Sequence, residues 1–417
     1  MSLVFIFLEL TREEFDQFSS NHDQGNYLQS LAMADLLEKR GWDVHLVGIK
    51  SKNTVVAGAL LSSMSIKVGR YFSILGGPLL DYNNNYLLTL FFESLKEYIK
   101  KNKGLYLNIS PNIVYKYCDD RGACLLEKNV LVHQSLLSYG FIHNGFTHTY
   151  ANENPRVVYV KDLTNLTEQN LIKSYNSSTR TKVNKTKKSN IKIRELTREE
   201  LPLFEQIMIH TATRQSFNDK GLNYYKHLYD SFGDKAHFMV AEIDFFQYIQ
   251  ENQSKLEKLQ QKLKNYSDKE DKLKQYENVQ REILALKKKI IETQEFLTTK
   301  ESEQALAVGL FIDMPQETLF LFGGMYNKYK NFLSPSYYLQ HVMMEQSIFK
   351  GIERYNFYGI EGIYDGSDGV LNFKKGFEGI VEEKVGTYTL VTSPIKYNMY
   401  CALKKIIGNL NSTGVKK

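Results

Sequence analysis

The sequence predicts a mixed α/β protein made of two copies of one unit, with a helical arm inserted into the second copy. Residues 9–14 read Glu-Leu-Thr-Arg-Glu-Glu, and the same six residues recur at 195–200. Alternating strand and helix patterns follow each recurrence, which is typical of α/β units. A charged segment with heptad periodicity, residues 247–300, interrupts the second copy.

The composition is that of a soluble globular protein long enough for two or three domains. Of its 417 residues, 42% are hydrophobic and 24% are charged, and the net charge is +6. No apolar run approaches the roughly 18 residues of a transmembrane helix, and the short run at 3–8 lacks the basic leader of a signal peptide. The three cysteines, Cys118, Cys124 and Cys401, fit a reducing compartment and lack metal-site spacing. We therefore expect a cytoplasmic protein without a metal.

The two copies correspond element by element. In the first copy, the pattern predicts strands at 45–49, 55–62 and up to 78, a helix at 86–101 and a strand at 105–109. In the second copy, it predicts strands at 238–243, 306–312 and up to 324, a helix at 337–350 and a strand at 354–358. The insertion falls where the first copy has the short turn 50–53, and loop tips tolerate insertions.

This order of elements resembles the GNAT-type acyltransferase fold, present twice. We expect subdomains at 1–150 and at 151–246 with 301–392, the arm at 247–300, and a C-terminal helix and tail at 393–417. A coenzyme A enzyme of this fold needs a glycine-rich loop after its fourth strand. The corresponding steps, Gly76-Gly77-Pro78 and Gly323-Gly324, lack the spaced glycines and the basic residue. The sequence therefore favours another acyl donor and no bound cofactor. Walker, Gly-x-Gly-x-x-Gly, His-Glu-x-x-His and Gly-x-Ser-x-Gly motifs are also absent.

The inserted segment carries an apolar seam on each side of a polar reversal at 267–271, which predicts an antiparallel two-helix coiled coil. The seam residues are Ile249, Asn252, Leu256, Leu259, Leu263, Tyr266, Tyr276, Val279, Ile283, Leu286, Ile290, Thr293 and Leu297. Such an arm serves either as a spacer or dimer contact, or as a contact with RNA. The run Lys287, Lys288 and Lys289 favours contact with phosphates.

A second basic stretch separates the two copies. Between residues 180 and 194, seven Lys and Arg residues alternate with Asn, Ser and Thr. This density favours a polyanionic partner over a solvated face. The residues assigned to RNA contact here are Arg180, Lys182, Lys185, Lys187 and Lys188.

Four short motifs resemble the FemABX family. They are Arg-Tyr-Asn-Phe-Tyr-Gly at 354–359, Asn-Phe-Lys-Lys-Gly-Phe at 372–377, Gly-Pro-Leu-Leu-Asp-Tyr at 77–82 and Ser-Tyr-Tyr at 336–338. The likeness runs from about residue 5 to residue 405 and includes the arm. It implies a peptidyltransferase that moves an amino acid from aminoacyl-tRNA to the side-chain amine of the third stem-peptide residue, or to the growing bridge, of a peptidoglycan precursor.

The resemblance also implies site residues. Lys374, beside Phe373, matches the family's functional lysine, and its ammonium is expected to stabilise the oxyanion of ester aminolysis. Arg214 matches an arginine that contacts the precursor's phosphates.

The sequence departs from the family pattern at several positions. A phosphate-binding lysine of the family falls at Leu37, so Lys39 or Arg40 is expected to replace it. Phe322 stands where the family has tyrosine, and Tyr106 holds in the first copy the place of Tyr355. Phe322 and Tyr106 complete the expected substrate residues. A strand-end aspartate of some members is Ser110, so no general base is assigned.

Two other functions stay open: an N-acyltransferase of the same fold with an acyl-CoA donor, and a non-catalytic RNA-binding protein. Glycine, alanine and serine are all candidates for the transferred amino acid. The acceptor is expected to be lipid-linked rather than nucleotide-linked, and the C-terminal helix, with Lys396, Lys404 and Lys405, is a candidate for contact with the inner membrane leaflet. The sequence does not determine the oligomeric state.

Overall fold

A computed structural model describes residues 5–148, 154–215, 217–266, 273–297, 303–330 and 332–413, without the side chains of 303 and 405–413. The first half of the chain contains β1 (Phe5–Glu9), α1 (Arg12–Asn21), α2 (Leu31–Lys39), β2 (Asp43–Ser51), β3 (Thr54–Ile66), β4 (Gly69–Leu75), α3 (Asn85–Lys101), β5 (Gly104–Ser110), β6 (Val114–Cys118), β7 (Cys124–Glu127), α4 (Val130–Ser138) and β8 (Ile142–His143).

The second half contains a longer series that repeats the first and adds the arm. Its elements are β9 (Val157–Asp162), α5 (Ser177–Lys187), β10 (Lys192–Glu195), α6 (Leu201–Gln215), α7 (Leu222–Phe232), β11 (Ala236–Asp244), α8 (Phe245–Lys264), α9 (Leu273–Gln294), β12 (Glu303–Asp313), β13 (Thr318–Met325), α10 (Pro335–Phe349), β14 (Arg354–Gly359), α11 (Gly369–Lys374), β15 (Ile380–Lys384), β16 (Tyr388–Val391) and α12 (Pro394–Thr413).

The strands form two sheets that exchange strands. The first sheet has the order β1-β2-β3-β4-β5-β16-β8, and the second has the order β10-β11-β12-β13-β14-β9-β15-β6-β7. The C-terminal strand β16 therefore completes the first sheet, while β6 and β7 extend the second. Each sheet thus contains strands from both sides of residue 150. The division into subdomains at that residue stays a prediction.

The repeated six-residue run performs the same structural task in both halves. Thr11 accepts a hydrogen bond from the backbone N–H of Glu14, whose carboxylate accepts one from the backbone of Thr11. Thr197 and Glu200 form the same reciprocal cap. A capping box fixes the chain at the start of a helix, and here it starts α1 in one half and the turn that leads into α6 in the other. The predicted duplication is confirmed.

The halves differ at their parallel strand pair. In the first half, β4 and β5 stay paired from Arg70, opposite Gly104, to Leu75, opposite Ser110. Over the fully described strands β13 and β14, pairing is confined to two positions that place Tyr355 and Asn356 opposite residues 318 and 319. Beyond these positions the two strands separate, so only the second half has an opening between its parallel strands.

The arm lies where the heptad pattern placed it. Helices α8 and α9 pack along each other between β11 and β12, the step at which the first half has its short turn. Every predicted seam position in 249–266 and 276–297 is buried or half-buried, while nearly all other positions along the pair are exposed. The reversal at 267–271 lies outside the described residues, and supercoiling of the pair stays a prediction. No helix among the described residues has the length and apolarity needed to cross a bilayer.

Candidate active site

A small polar cavity lies at the junction of the two halves, next to the opening between β13 and β14. The first half contributes Asn26, Tyr27 and Asn112 to its lining, and the second contributes Glu317, Asn356 and Tyr358. Ligand sites form preferentially where domains meet and where a few polar groups converge. The cavity is therefore the candidate active site.

Tyr358 reaches this cavity from a strained position near the end of β14. Its φ is +66°, in the left-handed region that non-glycine residues rarely adopt. Its backbone N–H donates to Asn356 Oδ1 at 2.8 Å, and Asn356 Nδ2 donates to Glu317 at 3.0 Å. Its hydroxyl lies 2.8 Å from that of Tyr27, so a tyrosine from each half meets in the cavity. Burial raises the pKa of both hydroxyls well above the ordinary tyrosine value, so both stay protonated near neutral pH.

Lys374 lies directly behind Tyr358. Its side chain is buried, and its Nζ donates to the carbonyl oxygens of Tyr358 at 3.2 Å and Gly359 at 2.5 Å. Burial lowers the pKa of Lys374 to about 7, although the negative charge of Asp368 acts to raise this pKa. Asp368 begins α11 by accepting from the N–H groups of Val370 and Leu371, which orients the helix that ends in the lysine.

Phe373 connects this lysine to the basic helix α5. Its ring makes an edge contact with Tyr337, with centroids 4.7 Å apart. On Tyr337 lies the ammonium of Lys182, 4.2 Å from the ring centroid and 3.1 Å from the hydroxyl it donates to. At the start of α5, the N–H of Asn176 donates to the carbonyl oxygen of Gly376. The basic helix is thus joined to the segment that carries Phe373 and Lys374.

The other end of the basic stretch meets the base of the arm. Asn190, just beyond α5, donates to the carboxylate of Glu251 on α8. One turn earlier on α8, Tyr248 lies under the ammonium of Lys289, 4.7 Å from its ring centroid. The remaining residues assigned to RNA contact are exposed: Arg180, Lys185, Lys187, Lys188, Lys287 and Lys288. The structure therefore brings the two predicted basic stretches together at the base of the arm.

A third tyrosine links two predicted substrate residues to the cavity. The guanidinium of Arg40 lies 5.4 Å from the ring centroid of Tyr224, and Tyr224 lies 6.3 Å from the ring of Phe322. Tyr224 is also close enough to contribute to the raised pKa of Tyr27 and Tyr358. Arg40 and Phe322 therefore both contact Tyr224, and none of the three is in the cavity lining.

The family model described as the FemAB family matches residues 10–405. This chain belongs to the FemAB family. It is 32% identical to "Aminoacyltransferase FemA" of Staphylococcus epidermidis over 96% of this chain and 99% of that protein. It is equally identical to "Aminoacyltransferase FemA" of Staphylococcus aureus, over 96% of this chain and 98% of that protein. The chain is accordingly an aminoacyltransferase.

Solved structures of distant proteins show the same fold. The crystal structure of FemX superposes with a TM-score of 0.75 at 22% identity and covers 94% of this chain and 99% of that one. A tandem GNAT protein from the clavulanic acid biosynthesis pathway gives a TM-score of 0.50 at 8% identity, with 93% and 99% covered. The predicted fold of tandem GNAT-like units is confirmed.

None of the residues predicted to be catalytic or to bind substrate is in the cavity lining itself, and three of them contact other elements. Arg214 is exposed at the end of α6, 3.4 Å from Asn327 Oδ1. Lys39 donates to Ser231 on α7. Tyr106 stacks on Tyr400 beneath α12, which gives it a packing role. Their contacts with substrate stay predictions.

The structure adds three tyrosines that sequence reasoning missed: Tyr27, Tyr224 and Tyr358. With 28 tyrosines in the chain, residue type alone gave no signal. The Tyr-Gly sequence at 358–359 is typical of an ordinary strand end and gives no sign that Tyr358 has a positive φ. At two of the positions where this chain departs from the family pattern, Leu37 is half-buried against the core and Ser110 is buried at the end of β5. Among the described residues, no group of three His, Cys, Asp or Glu side chains is placed to hold a metal ion.

Proposed function

We propose that this aminoacyltransferase moves an amino acid from aminoacyl-tRNA to an amine of a peptidoglycan precursor, in the step that builds an interpeptide bridge. One observation carries the proposal. The basic helix α5 touches the Phe373-Lys374 segment through Lys182 and Tyr337, and that segment supports the cavity between the halves. A tRNA bound along α5 and the base of the arm would have its aminoacylated 3′ end at this cavity.

The reaction is aminolysis of an ester, and the site offers what it needs. The uncharged amine bonds to the ester carbonyl carbon, the carbonyl electron pair moves to oxygen, and collapse breaks the bond to the ribose oxygen. Such a step requires hydrogen-bond donors at the developing oxyanion and two substrates held in register. Tyr358 lines the cavity, Lys374 contacts its backbone, and Phe373 precedes Lys374 on α11. Glu317, the carboxylate in the lining, is already paired with Arg354 at 2.8 Å and is assigned no proton transfer.

The precursor carries phosphates, and two cations lie at the end of α2, against α7. Arg40 is exposed and lies over Tyr224, where a planar guanidinium is free to pair with a phosphate in two hydrogen bonds. Lys39 lies next to it in sequence. We propose that these two cations, with Arg214, hold the phosphates of the precursor.

The C-terminal helix supports a lipid-linked acceptor. Tyr397 and Tyr400 of α12 pack on Tyr106, while Ile395, Met399 and Leu403 are exposed at spacings of four. Lys396 and Lys404 carry positive charge along the same helix. An apolar stripe with basic flanks is typical of helices that lie on an anionic membrane surface. We therefore propose peripheral contact of α12 with the inner leaflet.

One assay separates the proposed function from its alternatives. The protein is mixed with pools of tRNA charged with labelled glycine, alanine or serine and with a lysine-containing precursor, in lipid-linked or nucleotide-linked form. Transfer without coenzyme A supports the proposal, and the labelled product identifies the amino acid. Transfer that requires an acyl-CoA donor would instead assign an N-acyltransferase, and tRNA binding without transfer would assign an RNA-binding protein.

A further inference from the structure

The backbone of Tyr358 is held in its strained conformation by groups from several elements. Asn356 accepts from its N–H, Lys374 donates to its carbonyl oxygen, and the hydroxyl of Tyr27 meets its own. Asn356 is in turn fixed by Glu317, which pairs with Arg354. A strained residue persists only where its surroundings over-determine it, and such residues concentrate at active sites.

The result of this strain is the placement of one hydroxyl. Tyr358 turns into the cavity from the point where β13 and β14 separate. The two tyrosine hydroxyls carry two hydrogens, of which one bridges Tyr27 and Tyr358. Beyond this bridge, the Tyr358 hydroxyl donates one long hydrogen bond, of 3.5 Å, to Asn154 Oδ1. A substrate oxygen in the cavity would readily displace that long contact.

The geometry of Lys374 is that of a support. Lys374 does not line the cavity, and its Nζ donates to two backbone carbonyls at the turn of Tyr358 and Gly359. An amino group that donates to both of these carbonyls fixes the conformation that aims the tyrosine hydroxyl.

We infer that Tyr358 donates the hydrogen bond that stabilises the oxyanion of acyl transfer, and that Lys374 is a positioning residue acting through it. The inference rests on the proposed function. In the step, the amine nitrogen bonds to the carbonyl carbon, and the bond between that carbon and the ribose oxygen breaks. The proton lost by the amine ends on the ribose oxygen, and Tyr358 keeps its own proton throughout.

The test is a double-mutant cycle on single-turnover transfer from aminoacyl-tRNA to the precursor. Tyr358→Phe keeps the ring and the strained backbone and removes only the hydroxyl, so we expect kcat to fall by about 10²–10³ with little change in KM. Lys374→Met should lower kcat to a similar extent. Because both changes act on one group, the double variant should be about as slow as the slower single variant, not slower by the product of the two losses.

The matched control is Tyr355→Phe. This variant loses a buried hydroxyl on the same strand, bonded to Gln340 at 2.7 Å, that does not line the cavity. Transfer by the control should stay within about threefold of the wild-type rate. A near-normal rate for Tyr358→Phe would overturn the donor role, and multiplying losses in the double variant would overturn the coupling. If the wild-type protein itself transfers nothing, the proposed function fails rather than this inference.

Discussion

The ammonium of Lys182 lies 4.2 Å from the ring centroid of Tyr337 and donates to its hydroxyl. This pair is the point at which the basic helix α5 meets the segment of Phe373 and Lys374. A cation over an aromatic face is held in place without a carboxylate partner, so its charge remains available to an incoming phosphate. The relationship joins the proposed RNA-binding surface of α5 to the candidate catalytic segment.

Replacing Lys182 should therefore impair the use of tRNA more than a general loss of charge does. We expect Lys182→Gln to raise the KM for aminoacyl-tRNA by about tenfold, since cation–π and phosphate contacts are each worth on the order of 1 kcal/mol. Lys101→Gln removes one exposed charge from α3 of the first half and serves as the control. Equal KM values for the two variants would show that Lys182 does not contribute to tRNA binding.

The exposed lysines of α5 should determine the salt dependence of RNA binding. Each phosphate contact contributes about 0.7–0.9 to the slope of log K against log salt concentration. Replacing Lys185, Lys187 and Lys188 together by Gln should make this negative slope less steep by about 2. Binding of uncharged tRNA, measured between 50 and 250 mM salt (roughly the range over which such slopes are resolved), checks this. An unchanged slope would assign the phosphate contacts to another surface.

The burial of Lys374 should appear in the pH dependence of stability. Its pKa falls from 10.5 to about 7 on folding, so between these values the unfolded chain holds a proton that the folded chain has released. Stability rises with pH wherever the unfolded state binds more protons. The free energy of unfolding of the wild type should thus rise relative to that of Lys374→Met as the pH increases from about 7 to about 9.5.

Urea unfolding at several pH values measures this difference. Lys161, whose pKa is lowered by burial to about 8, provides a comparison, because its variant Lys161→Met should show the same trend beginning at a higher pH. A difference between wild type and Lys374→Met that stays constant over the window would show that Lys374 keeps its proton in the folded protein.

Arg354 should be the most costly of the paired arginines to replace. It donates to both oxygens of the buried Glu382 at 2.7 and 2.8 Å and to Glu317 at 2.8 Å. Arg354→Met leaves two carboxylates without this partner and should cost about 3–5 kcal/mol of unfolding free energy. Arg198, which pairs with Asp230 at the surface, is the control, and Arg198→Met should change the free energy of unfolding very little. Similar costs for the two variants would contradict the burial of the network.

The exposed stripe of α12 should direct the protein to anionic membranes. Ser substitutions at Ile395 and Met399 should weaken binding to vesicles of anionic lipid by about tenfold, since each removed side chain forfeits on the order of 1 kcal/mol of apolar burial. Ser substitution at Phe349, an equally exposed apolar residue at the end of α10, is the control. If the wild-type protein does not bind these vesicles, α12 does not contact the membrane and only packs against the rest of the protein.

Local patterns predicted the elements that depend on local interactions. The repeat, the helix predicted at 86–101 and the paired arm helices were all visible in recurring residues and periodicity. The exchange of β16, β6 and β7 between the sheets could not be predicted in this way, because the sequence of a short strand does not indicate which distant strand it pairs with. The sequence likewise predicted a catalytic role for Phe373 and Lys374, which stays a prediction, and gave no sign of the tyrosine that contacts Lys374. A left-handed backbone at Tyr358 is set by tertiary contacts, which no local pattern reveals.

The measurement that most directly tests the account is transfer of a labelled amino acid from charged tRNA to the precursor amine, with no coenzyme A present, by the wild-type protein and by Lys374→Met. We expect rapid labelling of the precursor by the wild type and a rate about 10² or more lower in the variant, with its fold and tRNA affinity retained. A variant as fast as the wild type, or a wild-type reaction that proceeds only with an acyl-CoA donor, would contradict it.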